Sequence, residues 1–139
     1  MTRWRIRRVV QRDETDCGIA CLMMVTGRSR GHVERIVREQ VLRKTTGNAY
    51  TRHLHLLKAL ALLGFRGTKM RFRTWQAVPT PAIVPIRRRA GGRHWHWVVL
   101  RGEGERRRRL DPEPGARRLV GRFRGYQVRG DYVAVSRGG

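Results

Sequence analysis

The sequence lacks the features of a membrane-spanning or disulfide-built protein. Its apolar runs all fall short of the roughly 18 residues that a transmembrane helix needs. It has two cysteines, Cys17 and Cys21, which are too few for a disulfide framework. Both are predicted on one helix a turn apart, where helix geometry disfavours a strain-free bridge. We therefore expect free thiols and no membrane span.

A secretory signal is also missing. The N-terminal stretch MTRWRIRRVV is basic, but the apolar segment behind it is too short for a signal peptide. The length of 139 residues suits one core of two packed layers and is too short for two independent cores. We expect residues 1–139 to form a single cytoplasmic domain.

Acidic residues are scarce, with 10 Asp and Glu against 32 Lys and Arg and a formal net charge of +22. Such a field attracts polyanions and acidic partners. The arginine clusters at 87–89 and 106–109 lie between apolar segments, as loops or hairpin turns would, and form no stripe along one helix. A basic nucleic-acid-binding domain is therefore an alternative that the pattern does not favour.

Three helices are predicted in the first half of the chain. The first covers Cys17–Thr26, which is rich in helix formers and is followed by a glycine. Ser29 can cap a second, amphipathic helix in which apolar residues recur at helical spacing as far as Val41. The third covers residues 51–63 and also stops before a glycine.

Strands predominate in the second half. Residues 69–75 alternate, and residues 82–86 predict an edge or irregular strand because Pro85 cannot donate to a ladder. HWHWVVLRG and GERRRRLDP predict two strands around the Gly-Glu-Gly turn of residues 102–104, and residues 131–136 predict a last one. The order predicts an α+β fold, with N-terminal helices packed on a C-terminal antiparallel sheet.

The stretch QRDETDCGIACLMM places Cys17 at the first turn of a helix. There the helix dipole and unpaired backbone donors stabilise a thiolate, which is a nucleophile. Gly18 removes side-chain bulk beside it, and Asp16 or Thr15 could cap the helix start. Cys21, one turn later, is interpreted as a small buried core residue.

The candidate base is His96 in HWHWVVL. On a strand, Trp95 and Trp97 share one face while His94 and His96 share the other, so the sheet can present a histidine to the helix terminus. Two tryptophans on one face more often pack a core than stack nucleic-acid bases. Asp111 follows the next strand, where its carboxylate can lie beside the histidine and fix its tautomer.

An oxyanion would still need donors. The side-chain amide of Gln11, together with the backbone N–H of Cys17, could supply them. Cys17, His96, Asp111 and Gln11 are therefore candidate catalytic residues for nucleophilic attack by a cysteine on a carbonyl group.

These stretches resemble the three motifs of the double-glycine bacteriocin-processing cysteine peptidases, the papain-like domain often fused to peptide-exporting ABC transporters. Order and spacing agree over most of the chain. The resemblance implies that Gln11 takes the place of the oxyanion glutamine, Cys17 the nucleophile, His96 the histidine and Asp111 the acid. It further implies a papain-like fold and cleavage of leader peptides after a small-residue, Gly-Gly-like site through a thioester. No cofactor or metal is expected.

The sequence carries no membrane domain and no ATPase motif, so either a freestanding peptidase domain or one acting with a separate ABC transporter is expected. Some relatives have lost the cysteine and only bind leader peptides, which leaves an inactive leader-binding module as a second alternative.

Cys17, Cys21, His94 and His96 are all zinc-ligand types, but their spacing does not resemble the common zinc fingers. The histidines of the third predicted helix, at residues 53 and 55, are interpreted as structural.

Overall fold

A computed structural model describes residues 5–87, 95–115 and 127–137. Its helices and strands, in chain order, are α1 (Cys17–Thr26), α2 (Arg30–Arg35), α3 (His53–Leu62), β1 (Phe65–Met70), β2 (Ala82–Arg87), β3 (Trp95–Arg101), β4 (Arg108–Leu110), β5 (Gln127–Val128) and β6 (Tyr132–Arg137). A π-helical segment, Ile36–Leu42, continues α2. Helices precede strands, so the predicted α+β fold is confirmed. Arg88, Arg89 and His94, singled out from the sequence, lie outside the described residues.

The predicted helices form close to where the sequence places them. α1 has the predicted bounds and ends at Gly27, whose φ of 70° lets its N–H bond back to an α1 carbonyl. Ser29 caps α2 by accepting a hydrogen bond from the N–H of His32 at 3.3 Å. The second half of this predicted amphipathic helix is π-helical. α3 begins at His53 rather than at residue 51, because Arg52 is extended.

The described strands form a six-stranded sheet in the order β1–β6–β2–β3–β4, with β5 also pairing with β2. Each of these pairs is antiparallel. The predicted pairing of these two strands is confirmed, since Val99 of β3 lies opposite Leu110 of β4. The second strand is shorter than predicted, because Gly104–Arg106 form a turn of 3-10 helix before it. α1 packs on β3 and α3 on β1, so the N-terminal helices lie against the sheet.

The prediction of a strand at residues 69–75 is wrong. β1 follows α3 directly and pairs with β6 along its whole length. Only Phe65 and Gly67 of this edge strand are partly buried. A Cβ at Gly67 would lie 2.8 Å from Leu60 and 2.9 Å from Leu57, so α3 packs onto bare backbone there. A glycine gives no apolar signal, and the alternation of β1 is therefore invisible in the sequence.

The prediction of an edge or irregular strand at residues 82–86 is also wrong. β2 lies inside the sheet, with β3 on one side and β6 and β5 on the other. The pairing with β6 ends at Ile83 and the pairing with β5 begins at Ile86, so Pro85 lies between them. Its carbonyl accepts the N–H of Arg129 at 2.9 Å. The missing proline N–H falls where the neighbouring strand changes, and no continuous ladder is broken.

β3, which carries His96, is held from both faces. Trp97 and Val99 belong to the apolar core shared with α1, whereas Val98 and Leu100 belong to a second apolar cluster that includes Tyr132. The predicted alternation of this strand is confirmed. Because both faces of β3 are packed, the position of this strand against α1 is fixed, and with it the position of His96.

Candidate active site

Cys17 is the first residue of α1, and 7% of its surface is exposed. The Asp16 carboxylate makes no capping bond to the helix and instead accepts the N–H groups of Arg12 at 3.0 Å and Asp13 at 3.1 Å. The Thr15 hydroxyl also turns away and accepts a backbone N–H from the loop before α3. The expected side-chain cap is therefore wrong. The first-turn N–H groups beside the thiol carry no such cap.

His96 and Asp111 form a buried hydrogen-bonded pair. Nε2 of His96 lies 2.6 Å from Oδ1 of Asp111. The two meet because β3 and β4 are antiparallel neighbours, with His96 on β3 and Asp111 directly after β4. The backbone N–H of Glu113 donates to the same carboxylate oxygen at 2.9 Å, which holds the Asp111 side chain in place.

Electrostatics favour the charged forms of this pair. Burial opposes the charge on His96, but hydrogen bonds to Asp111 and Cys17 outweigh it and raise the pKa of the imidazole to about 9. Burial likewise opposes the charge on Asp111, yet the hydrogen bond from His96 and the nearby charges of His96 and Arg109 hold the pKa of that carboxyl below its usual value. Imidazolium and carboxylate therefore predominate at neutral pH.

Cys17 lies beside His96 and, after Asp111, is the next contributor to the raised pKa of the imidazole. Because Nε2 faces Asp111, Nδ1 is the ring nitrogen left for the sulfur. The structure thus brings Cys17, His96 and Asp111 into one continuous array, with the imidazole in the middle.

Gln11 lies beside this array. Its backbone N–H donates to the carbonyl of Pro112 at 2.8 Å, which ties it next to Asp111. Its side-chain Nε2 donates to the carbonyl of Asp13 at 2.7 Å, and the second N–H of the amide is left for another acceptor. The amide oxygen is buried without a hydrogen-bond partner among the described residues.

A cavity of about 270 Å³ opens beside Cys17, lined by Tyr50, Thr51, Arg52, Trp95 and Trp97. The two indole rings pack edge to face with centroids 4.7 Å apart, and Nε1 of Trp97 donates to the Thr51 carbonyl at 3.0 Å. The predicted core role fits Trp97, whereas Trp95 is 39% exposed. Sequence reasoning missed residues 50–52, which become part of the cavity wall only through tertiary contacts.

Gly18 is required where this wall approaches α1. A Cβ at Gly18 would lie 2.0 Å from Oγ1 of Thr51, which is a forbidden contact. The expected absence of bulk beside Cys17 therefore has a specific purpose: it lets Thr51 pack directly against the first turn of the helix.

The other cysteine and histidines have structural surroundings. Both cysteines are free thiols, as predicted, and burial raises the pKa of the Cys21 thiol. Nε2 of His53 lies 2.5 Å from the carbonyl oxygen of Asp131, and Nδ1 of His55 accepts the N–H of Arg52 at 2.9 Å. These bonds hold the first turn of α3.

Side chains with potential metal-ligand atoms also meet near this site. Among the described residues, His96, Asp111 and Glu113 bring such atoms within 4.8 Å of one another, and neither cysteine belongs to this group. Two of its members already form the hydrogen-bonded pair, and His94 of the zinc alternative lies outside the described residues.

A cysteine at the start of a helix, beside a histidine that an acid orients, is the arrangement of papain-like cysteine peptidases. The model of the Peptidase C39 family matches residues 5–120, which is most of the sequence. The chain belongs to the Peptidase C39 family. A search of curated proteins found no match.

Other solved structures share the fold. The peptidase domain of Streptococcus ComA, a bi-functional ABC transporter involved in a quorum-sensing pathway, is 22% identical with a TM-score of 0.71, covering 96% of this chain and 99% of its own. A double glycine motif protease from an AMS/PCAT transporter, in complex with the leader peptide, is 21% identical with a TM-score of 0.66. The match covers 97% of this chain and 94% of that protease. The peptidase domain of Streptococcus mutans ComA is 22% identical with a TM-score of 0.64, and the match covers 94% of this chain and 98% of that domain. The expected papain-like α+β fold is thereby confirmed.

The described segments, 5–87, 95–115 and 127–137, contain no helix with the length and hydrophobicity needed to cross a bilayer.

Proposed function

We propose that this protein is a cysteine endopeptidase that cleaves leader peptides after a small-residue pair such as Gly-Gly. The observation that carries the proposal is the array of Cys17, His96 and Asp111 at the first turn of α1. Family membership supports the peptidase chemistry. The leader peptide bound to the AMS/PCAT transporter protease motivates the substrate class, which we extend to this chain.

His96 supplies the proton that bond cleavage needs. With the proton on the ring, the Cys17 sulfur attacks the scissile carbonyl carbon as a thiolate. When the tetrahedral intermediate collapses, the C–N bond breaks and the imidazolium protonates the departing amine. Neutral His96 then takes a proton from the water that attacks the thioester, and the thiolate leaves as the leader is released as its acid. Asp111 keeps the ring oriented through both steps.

The oxyanion of each tetrahedral intermediate would be stabilised by the backbone N–H of Cys17 and the side-chain amide of Gln11. Gln11 has one amide N–H that the Asp13 carbonyl does not engage, and no side chain caps the first turn of α1. Donors of this kind act most strongly in a buried site.

The cavity beside Cys17 supports a peptide substrate. Its wall combines aromatic surface from Trp95 with the exposed side chains of Tyr50 and Arg52, which suits an extended chain that lies across the nucleophile. The preference for a small-residue pair at the cleaved site rests on the family resemblance.

We place residues 1–139 in the cytoplasm as one peptidase domain that works with an ABC transporter. The proposed reaction uses side chains, the backbone N–H of Cys17 and water, without cofactor or metal. Nucleic acid is the less favoured partner for the basic surface.

A cleavage assay with a synthetic leader peptide containing Gly-Gly, followed by mass spectrometry, tests the proposal. The parent and Cys21→Ala should release a leader ending in Gly-Gly, whereas Cys17→Ala should release none while keeping its circular dichroism spectrum. Equal loss of cleavage in both variants, with folding unchanged, would contradict the assignment. Binding of the peptide by the parent without cleavage would identify an inactive leader-binding module instead.

A further inference from the structure

The loop before α1 is organised around the carboxylate of Asp16. Oδ1 accepts the N–H groups of Arg12 at 3.0 Å and Asp13 at 3.1 Å, and Oδ2 lies 3.3 Å from Nη1 of Arg30. Asp16 is 5% exposed, so these bonds replace the water that its carboxylate has lost. The loop therefore wraps around the buried carboxylate of Asp16, both of whose oxygens have hydrogen-bond partners.

Arg30, the first residue of α2, joins both ends of this loop. Its Nη2 donates to the carbonyl of Val10 at 2.7 Å while its Nη1 meets Asp16. Val10 directly precedes Gln11, and Asp16 directly precedes Cys17. One guanidinium therefore sets the distance between the segment that carries the proposed oxyanion donor and the segment that carries the nucleophile. A planar fork of donors is suited to this double contact.

The Gln11 side chain depends on the same loop. Its Nε2 donates to the carbonyl of Asp13, and the N–H of Asp13 is bonded to Asp16. Asp13, which orients the Gln11 amide, is thus itself held by the buried carboxylate of Asp16. This chain of contacts fixes the direction of the second amide N–H of Gln11.

We propose that Asp16 and Arg30 are positioning residues that aim Gln11 and the Cys17 N–H at one oxyanion position. This inference rests on the proposed peptidase function. Neither side chain touches the reacting atoms; both act through the loop. We call the contacts of Arg30 with Asp16 and with the Val10 carbonyl the brace. A displacement of about 1 Å in such a site can lower the rate by about 10²-fold, so loss of the brace should lower kcat.

Steady-state kinetics of leader cleavage provide the first test. Asp16→Asn and Arg30→Gln should lower kcat by about 10-fold to 10²-fold with KM near the parent value. Arg30→Lys should also be slow, because an ammonium group does not reproduce the two-pronged contact. The matched control is Arg38→Gln: Arg38 joins the Glu34 carboxylate at 3.2 Å and the Gly47 carbonyl at 3.1 Å. The control should stay within about twofold of the parent.

A double-mutant cycle separates positioning from general destabilisation. Once Gln11→Ala has removed that donor, adding Arg30→Gln should lower kcat clearly less than it does in the parent, because only the Cys17 N–H remains to be positioned. Fully additive losses would overturn the proposal. Alkylation of Cys17 by iodoacetamide, which needs the thiolate but no oxyanion donor, should stay within about threefold of the parent in Arg30→Gln. A parallel fall in alkylation would show a disrupted nucleophile and would also overturn it.

Hydrogen exchange followed by NMR tests the brace without any substrate. The amides of Arg12 and Asp13 should exchange at least about 10-fold faster in Arg30→Gln, while amides inside α1, such as that of Leu22, keep their rates. Unchanged exchange at Arg12 and Asp13 would overturn the brace itself. Faster exchange in the variant together with no leader cleavage by the parent would overturn the proposed function, so the two failures are distinguishable.

Discussion

Nε2 of His96 and Oδ1 of Asp111 lie 2.6 Å apart, although 15 residues separate them in the chain. The antiparallel pairing of β3 with β4 brings them together, and burial keeps water from competing for the bond. This pair sets the protonation state of the imidazole that also contacts Cys17.

The value of kcat/KM should decline as the pH rises through about 9, the pKa of His96. Below that pH the ring is protonated and can donate to the departing amine; above it the proton is lost. Asp111→Asn replaces the carboxylate with a neutral amide and so removes the negative charge that strengthens this hydrogen bond and stabilises the imidazolium; the alkaline decline should move down by at least about one pH unit.

The control for this pH profile is Asp131→Asn, which removes a partly exposed carboxylate 3.9 Å from Lys69. Its alkaline decline should match the parent. If Asp111→Asn left the decline where it is in the parent, Asp111 would not be the residue that tunes His96.

Gln11→Ala should lower kcat by about 10² to 10³, the usual cost of one oxyanion donor, with little change in KM. The reason is that the amide N–H would act on the transition state rather than on the bound substrate. A rate within about threefold of the parent, smaller than a usual oxyanion effect, would remove Gln11 from the mechanism.

Gly18→Ala should destabilise the fold by about 1–3 kcal/mol, because its Cβ would meet Oγ1 of Thr51 at 2.0 Å. Thermal unfolding measures the effect. Thr51→Ala in the same chain should recover part of the loss, since it removes the clashing oxygen.

Gly31→Ala is the matched control for that substitution. Gly31 lies in α2, and a Cβ there meets nothing within 4 Å. Alanine should therefore be neutral or stabilising by up to about 1 kcal/mol. Similar destabilisation by both alanines would show that the contact with Thr51 is not the cause.

The net charge of +22 should make capture of an acidic leader depend on salt. As the screening length falls to about 8 Å, kcat/KM should fall while kcat barely moves, because screening weakens encounter rather than chemistry. An uncharged leader is the control. Salt-insensitive kcat/KM, together with salt-steep duplex binding that Cys17→Ala does not alter, would favour nucleic acid as the partner of the basic surface.

The parts of the site that sequence could predict have local signals. Helix formers followed by Gly27 define α1 and so place Cys17 at a helix start, and the alternation around His96 defines β3. Asp111 follows from the hairpin that returns beside this strand.

The parts that could not be predicted depend on contacts between distant segments. Asp16 has the position and chemistry of an N-cap, but its carboxylate turns to Arg30 and the loop N–H groups instead. Thr51 becomes part of the cavity wall through the Trp97 indole and the space that Gly18 leaves. The hydrophobic periodicity of a single segment cannot predict contacts of this kind between distant segments.

The central claim is that Cys17 is a nucleophile activated by His96, and the alkylation rate of each cysteine at about pH 6 tests it most directly. Cys17 in the parent should react with iodoacetamide at least about 10-fold faster than buried Cys21, and at least about 10-fold faster than Cys17 in His96→Ala, because the imidazolium stabilises the thiolate. Equal labelling of the two cysteines, or a Cys17 rate unchanged by His96→Ala, would contradict the account.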